Sequence, residues 1–320
     1  MNNEASINNK EKPNFFRNPV VITVCALICC ALWGSATPFI KIGYELLTPE
    51  RNIPSTILFA GIRFTLAGVL TIVFYSIARR KLLLPKKKNL KYIGIISLFQ
   101  TVIQYIFFYI GLSNTSGVKG TVASGSSAFF SVLIAGLIFK QEKLTAKKII
   151  ACLLGFSGIV LININGIEFT MNFLGDGFVI LSTLSYALSS VLIKTFSKYE
   201  DPVIISGYQF MLGGAVMSIV GLLFGGKVVI SSPRSALVLL YLAFLSAVAY
   251  ALWGILLKHN PVSRISIFSF TTPIFGTILS TLLLTEDSKT SPAILVIVLL
   301  LVSSGILLLN LTIPKRKKKT

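Results

Sequence analysis

The sequence has little charge and very little acid. Only 13% of its 320 residues are charged and 11 are acidic, whereas soluble domains carry about 25% charged residues. The apolar residues, 54% of the chain, gather into repeated runs of roughly 18–25 residues, the length that a helix needs to cross a bilayer core. Hydrocarbon offers no partner to a peptide group, so each run must be helical. The composition therefore predicts an all-α polytopic membrane protein.

Metal ligands and catalytic groups are equally scarce. The single histidine, His259, falls in a predicted loop, and the four cysteines all lie within apolar runs. This pattern excludes a zinc site and leaves no loop cysteine for a disulfide. Because no acidic residue falls at the predicted middle of the membrane, an acid–base pair for chemistry is also missing. We predict no cofactor, no metal and no enzymatic activity, with a membrane-embedded enzyme such as a lipid transferase as the weaker alternative.

Basic residues give the chain a net charge of +19, but they sit in short loops between apolar runs. That distribution indicates topology and contact with anionic lipid rather than a nucleic-acid partner. With the N-terminus inside, 23 of the 30 Lys and Arg residues fall on the cytoplasmic side. We therefore predict that both termini are cytoplasmic, with an N-terminal segment at 1–19 and a basic tail at 313–320.

Ten apolar runs predict ten transmembrane helices. The first run continues to about Tyr44, which is longer than the apolar part of a signal peptide, so we interpret it as a retained helix. The predicted helices span residues 20–44, 56–79, 91–112, 118–139, 147–164, 174–195, 202–224, 235–257, 263–284 and 292–312.

The chain also contains an internal repeat. The segment from Val118 to Glu142 aligns without gaps to the segment from Val262 to Glu286. Other equivalent pairs are Trp33 and Tyr186, Lys41 and Lys194, Tyr105 and Tyr250, and Phe108 and Trp253. The repeat predicts two halves of five helices each, at 20–164 and 174–312. Because five is odd, the halves must have opposite orientations, and a substrate site is expected near the membrane midplane where they meet.

Particular residues carry a family resemblance. The first helix has Leu32-Trp33-Gly34-Ser35 followed by Lys41, and the second has Arg63. The run of small residues that leads to Glu142 recurs from Thr272-Pro273 to Glu286. In this order, and duplicated, these residues resemble the EamA-type ten-helix branch of the drug/metabolite transporter superfamily, over about residues 20–312. The first half departs from the pattern at Phe129, where the second half has Pro273.

The resemblance implies a secondary carrier in a bacterial cytoplasmic membrane. Such a protein moves amino acids, nucleotide precursors or related neutral, zwitterionic or anionic solutes by alternating access, and export is the expected direction. A passive channel is the alternative. Coupling to protons or to a counter-substrate, and a monomeric or homodimeric state, are both left open by the sequence.

Polar side chains inside the membrane are the candidate site residues, because burying them there is costly. Arg63 lies roughly 10 Å into its helix and could pair with a carboxylate, or could be satisfied by neighbouring carbonyls. Gln100, Gln104 and, less closely, Tyr109 share one helix face, while Ser127 lies among small residues that equally explain close packing. The full candidate set is Trp33, Lys41, Arg63, Gln100, Gln104, Tyr109, Ser127, Tyr186, Gln209, Tyr250, Trp253 and Thr272.

Overall fold

The structure is a computed structural model that describes residues 15–50, 52–115, 117–162, 172–284 and 292–310. All regular elements in these ranges are helical. Six helices are continuous: α1 (Pro19–Leu47), α2 (Ile53–Ala78), α5 (Ala146–Ile162), α7 (Pro202–Leu223), α8 (Pro233–His259) and α10 (Pro292–Asn310). The other four change winding along their length: α3 (Leu90–Ile96, Ser97–Ile103, Gln104–Ser113), α4 (Gly117–Gly125, Ser127–Leu133, Ile134–Ile138), α6 (Phe173–Gly177, Phe178–Phe196) and α9 (Val262–Ser266, Ile267–Thr271, Thr272–Leu284).

These helices confirm the predicted polytopic membrane fold. Within the described ranges, nine helices have at least 18 residues and enough apolar character to cross a bilayer, and α5 falls one residue short at 17. Their ends agree with the predicted ends to within a few residues. Glu286, the basic tail at 313–320 and most of the segment at 1–19 lie outside the described residues.

Helix starts follow local side-chain chemistry. The Asn52 side chain accepts a hydrogen bond of 2.9 Å from the Ser55 N–H at the start of α2, and Asp201 accepts one of 2.8 Å from Val203 at the start of α7. Each helix has a proline in its first turn, where a missing N–H costs nothing. These caps satisfy backbone donors at the membrane boundary.

Helix packing relates the two halves by a pseudo-two-fold axis. Helix α1 packs on α8 and α9, and its repeat equivalent α6 packs on α3 and α4. Helix α2 packs on its own equivalent α7, and α5 packs on α10. Equivalent helices exchange places in this pattern, as expected of two repeats. Because each half has five helices, an odd number, the repeats are inverted.

The crossing of α2 and α7 is the closest helix contact on this axis. A Cβ atom added at Gly214 would lie 2.4 Å from the backbone N of Thr65, and one added at Gly68 would lie 2.5 Å from the Gly207 carbonyl oxygen. Only glycine allows the two backbones to approach so closely. The crossing therefore fixes the position of every side chain that the two helices present to the centre.

Candidate substrate site

Equivalent residues of the two halves meet at the centre of the molecule. The Phe64 and Phe210 rings stack with centroids 5.0 Å apart, and the Tyr105 and Tyr250 hydroxyls form a hydrogen bond of 2.8 Å. Trp33 and Tyr186, aligned in the sequence repeat, pack edge to face at 6.5 Å. The axis therefore passes through a cluster of aromatic side chains contributed by six helices.

A short motif in α2 and α7 places two polar side chains beside this cluster. Residues 61–68 and 207–214 share the pattern Gly-x-(Arg/Gln)-Phe-x-Leu-x-Gly, so Arg63 and Gln209 occupy equivalent positions. Gln209 is fully buried, and its side-chain oxygen accepts a hydrogen bond of 2.7 Å from the Thr101 hydroxyl. This equivalence is visible in the sequence and adds a further pair to the internal repeat.

Arg63 is the buried cation of the cluster. Its side chain is 3% exposed, and its Nε and Nη1 atoms have no hydrogen-bond partner. The guanidinium carbon lies 4.3 Å from the centroid of the Phe64 ring, a cation–π contact. No carboxylate among the described residues pairs with it. Since α2 begins at Ile53, Arg63 lies about 15 Å into the helix, deeper than the sequence predicts.

Three tyrosines lie near this guanidinium. Tyr44, Tyr105 and Tyr250, from α1, α3 and α8, all lie close enough to Arg63 to interact with its charge. Tyr44 also interacts with Tyr109, a predicted site residue that is almost fully buried. Sequence reasoning missed Tyr44, because its place beside Arg63 depends on how α1 packs against α2 and α3.

Two indole rings form the part of the cluster on the other side of Tyr250 from Arg63. The Trp33 ring lies 4.9 Å from the Trp253 ring and 5.2 Å from the Tyr250 ring, measured between centroids. Both indole N–H groups are buried without a hydrogen-bond partner. Buried polar groups in folded proteins are nearly always paired, so unpaired donors at this depth point to a ligand or to ordered water.

The π-helical middle of α3, Ser97–Ile103, carries Gln100, and Gln104 follows it directly. This wider turn frees a carbonyl at Phe99, which accepts a hydrogen bond of 2.6 Å from the Ser185 hydroxyl of α6. Gln100 is buried, and Gln104 interacts with the Tyr250 hydroxyl, yet the side-chain oxygens of both glutamines lack partners. Short π-helical segments frequently occur at functional sites.

Helices α4 and α9 break at nearly equivalent positions beside the cluster. The break in α9 precedes Pro273, and the next helical segment starts at Thr272, whose buried hydroxyl has no partner. The break in α4 falls at Ser126, and its hydroxyl satisfies the Ala123 carbonyl at 2.6 Å. Irregular backbone inside a membrane is tolerated where it lies within protein or lines a cavity.

The structure brings most predicted site residues together, but not all of them. One cluster contains Trp33, Tyr109, Tyr186 and Tyr250, with Arg63 beside it on α2. Lys41 lies apart from this cluster, exposed near the end of α1. Ser127 is half-buried at the break in α4, where its carbonyl accepts a hydrogen bond of 2.7 Å from Ser131. Its contribution to a site stays a prediction.

We call the face where α1 begins the terminal face. Hydrogen bonds and ion pairs join the two halves there, and we call these bonds ties. The Glu142 carboxylate accepts hydrogen bonds from the N–H (3.0 Å) and the hydroxyl of Ser263, and pairs with Lys148 at 2.5 Å. Arg79 pairs with Asp201 at 2.6 Å. Two further ties join Glu200 to Asn89 at 3.0 Å and Asn260 to the Phe16 carbonyl at 2.8 Å. A packed apolar cluster lies between these ties and the indole rings.

We call the opposite face, where α1 ends, the far face. It holds a cavity of about 280 Å³ lined by Lys41, Tyr44, Glu45 and Thr56. Tyr44 forms one wall of this cavity, and its phenol also interacts with the charge of Arg63. Elsewhere within the described ranges, no three His, Cys, Asp or Glu side chains come together as metal ligands would.

Comparison with known proteins identifies the family. The model of the EamA-like transporter family matches the chain twice, at residues 21–164 and 173–311. The chain belongs to the EamA-like transporter family. This EamA-like protein is therefore a multi-pass membrane protein of a transporter family, as the sequence resemblance implied.

Relatives of this EamA-like protein include transporters from several kingdoms. An uncharacterized transporter of Archaeoglobus fulgidus is 27% identical, over 80% of this chain and 86% of its own length. A probable amino-acid metabolite efflux pump of Salmonella typhimurium is 25% identical, over 82% of this chain and 86% of its own length. A WAT1-related chloroplastic protein of Arabidopsis thaliana is 26% identical over 78% of this chain, and the match spans 63% of that longer protein.

A solved crystal structure of another protein has the same fold. It superposes with a TM-score of 0.73 at 18% sequence identity, covering 90% of the EamA-like chain and 96% of the other chain. At this identity the likeness concerns the fold alone.

Proposed function

We propose that this EamA-like protein is a secondary carrier in a bacterial cytoplasmic membrane, with both termini inside, and that it exports small metabolites by alternating access. Amino acids, nucleotide precursors and related anionic or zwitterionic solutes are the proposed substrates. The observation that carries the proposal is Arg63, a buried guanidinium with unpartnered N–H groups where the inverted halves meet. Sites of secondary carriers lie at such a position.

The arrangement of the two faces supports alternating access. Bonds join the halves at both faces, the four ties at the terminal face and, at the far face, the Lys227–Glu50 ion pair at 2.8 Å. Within the described ranges, only the far face also holds the cavity lined by Tyr44. Under the proposed orientation, this conformation is open toward the outside. The efflux pump of Salmonella typhimurium supports export as the direction.

The buried charge favours coupling to a counter-substrate. An empty carrier would have to pass an unpaired guanidinium through an occluded state, and an unpaired buried charge is costly. An anionic solute on the return step neutralises that charge. We therefore expect exchange of one anionic solute for another to be faster than net efflux.

Flux measured in proteoliposomes tests the proposal. Purified protein is reconstituted with a labelled mixture of amino acids, nucleosides and organic acids inside, with and without unlabelled mixture outside. We expect saturable efflux that is faster when solute is present on both sides. The Arg63→Ala variant should lose at least tenfold in rate, because it removes the proposed anion-binding group.

Arg234→Ala is the matched control. Arg234 is an exposed cation at the start of α8, so its removal takes away the same charge without touching the site. An unchanged melting temperature in detergent would show that Arg63→Ala folds. Flux that rises linearly with concentration, or single-channel conductance, would instead support a channel, and no flux of any solute would contradict the proposal.

A further inference from the structure

Donors outnumber acceptors among the unpartnered groups of the site: the Gln104 oxygen is an acceptor, and the Gln209 amide nitrogen is one of the donors. Arg63 contributes Nε and Nη1, and Trp33 and Trp253 contribute their indole N–H groups. The Tyr105–Tyr250 hydrogen bond consumes only one of its two hydroxyl hydrogens, so that pair keeps one donor as well. A ligand that satisfies this set must present several acceptor lone pairs, as a carboxylate does.

The charge of the site also favours a carboxylate ligand. The guanidinium of Arg63 is accompanied by aromatic rings and phenols, while the described carboxylates lie at helix ends or in loops, as with Glu45 and Asp176. Phenols and indoles do not neutralise a positive charge at neutral pH. An anionic ligand supplies the missing charge, whereas a cationic ligand would add a second one at low dielectric.

A chain of contacts links the donor groups of the site, from Arg63 to Trp253. Arg63 sits over the Phe64 ring and 5.9 Å from the centroid of the Tyr105 ring. Tyr105 bonds Tyr250, whose ring packs on Trp33, and Trp33 packs on Trp253. The site therefore runs from a cationic, phenolic end to an end walled by flat apolar rings. Aromatic walls of this kind bind apolar or planar groups.

We propose that the solute of this EamA-like protein is a carboxylate with an apolar or planar body. Its acid group binds Arg63 at the phenolic end, and its body lies against Tyr250, Trp33 and Trp253. The proposal rests on the carrier function proposed above and gives that site its substrate class and the orientation of the solute. Solutes with the same body and a neutral amide or an ammonium in place of the acid are discriminated against.

The protein carries its own reporter for this binding. Trp33 and Trp253 are the two tryptophans of the entire chain, and both belong to the site. Their fluorescence in detergent-solubilised full-length protein can be titrated with 3-phenylpropanoate, 3-phenylpropanamide, 3-phenylpropylamine and acetate. These probes share either the body or the acid group, so each comparison changes one feature of the solute.

We expect 3-phenylpropanoate to change the fluorescence with a Kd at least tenfold below that of its amide. The amine and acetate should have no effect at the same concentrations. Arg63→Gln is the test variant, because Gln209 shows that glutamine fits the equivalent position beside the equivalent phenylalanine. In this variant the acid and the amide should bind equally. Arg234→Ala should keep the preference of the wild type.

The possible failures are distinguishable. An amide or amine that binds as tightly as the acid, or an acid that does not change the fluorescence, would overturn the assignment of the substrate class. Selective binding of the acid together with zero flux in proteoliposomes would contradict the carrier function and leave the recognition chemistry intact. A preference for acid that survives Arg63→Gln would overturn the role of Arg63.

Discussion

Lys41 near the end of α1 and Lys194 near the end of α6 are the same position in the two repeats, yet their surroundings differ. Lys41 is exposed and lines the cavity on the far face. Lys194 is half-buried at the terminal face and donates hydrogen bonds to the carbonyl oxygens of Leu257, at 3.1 Å, and Asn260. Equivalent residues in equivalent helices thus differ in exposure: Lys41 lies at the open, far face and Lys194 at the closed, terminal face.

The different exposure of Lys41 and Lys194 shows that local sequence does not determine which face is open. Both lysines follow from the same repeat, so their surroundings depend on how the neighbouring helices are placed. A carrier built from inverted repeats has a second state in which the two surroundings are exchanged. We expect Lys194 to be exposed and Lys41 to be enclosed in that state.

We expect the largest effect from a substitution at the crossing of α2 and α7. In the proposed mechanism both states share this crossing. In Gly214→Ala the new Cβ would lie 2.4 Å from the Thr65 backbone N, so the helices must separate. Overpacking of this kind costs about 1–3 kcal/mol. We expect a lower melting temperature in detergent and loss of flux. Gly94→Ala, where a Cβ meets nothing within 4 Å, should leave both measurements unchanged.

A second test measures the two lysine positions directly. Lys41→Cys and Lys194→Cys are prepared in a protein whose native cysteines, Cys25, Cys29, Cys30 and Cys152, are replaced by alanine. In detergent, where both faces meet the reagent, we expect a polar thiol reagent to modify position 41 at least tenfold faster than position 194. Equal rates would show that the two faces do not differ as described.

The smallest effect concerns Glu142. Burial favours its neutral form, but the bonds from Lys148 and Ser263 outweigh burial and hold the pKa below the usual glutamate value of 4.5. The tie is therefore present above that value and is lost only as the pH falls through the lowered pKa. Thiol reagents attack the thiolate, whose fraction changes with pH, so the rate at position 194 is divided by the rate at position 41 at the same pH. We expect this ratio to be constant between pH 5 and 7 with Glu142 in place, and to rise severalfold in Glu142→Gln at every pH. Glu45→Gln, at the far face, is the control. A ratio that rises already as the pH falls from 7 to 5 would contradict this account.

The sequence predicts the scaffold well and the site in part. Run length predicts the helices because it follows from the thickness of the bilayer, and the repeat predicts how the helices are grouped into two halves. Arg63, Trp33 and Tyr250 could be selected because polar and aromatic groups at that depth need partners. Tyr44 could not be selected, because it reaches Arg63 only through packing between helices. Which of the two faces holds the cavity could not be predicted either, since the proposed carrier mechanism requires one sequence to encode two states.

The hydrogen bond between Tyr105 and Tyr250 has one further consequence. A hydrogen bond has a direction, so two oxygens related by the duplication cannot both donate to each other at once. One phenol gives its hydrogen to the other, and rotation of two O–H bonds reverses the arrangement without moving any helix. Either half of the duplicated molecule can thus supply the hydroxyl hydrogen that this bond leaves over.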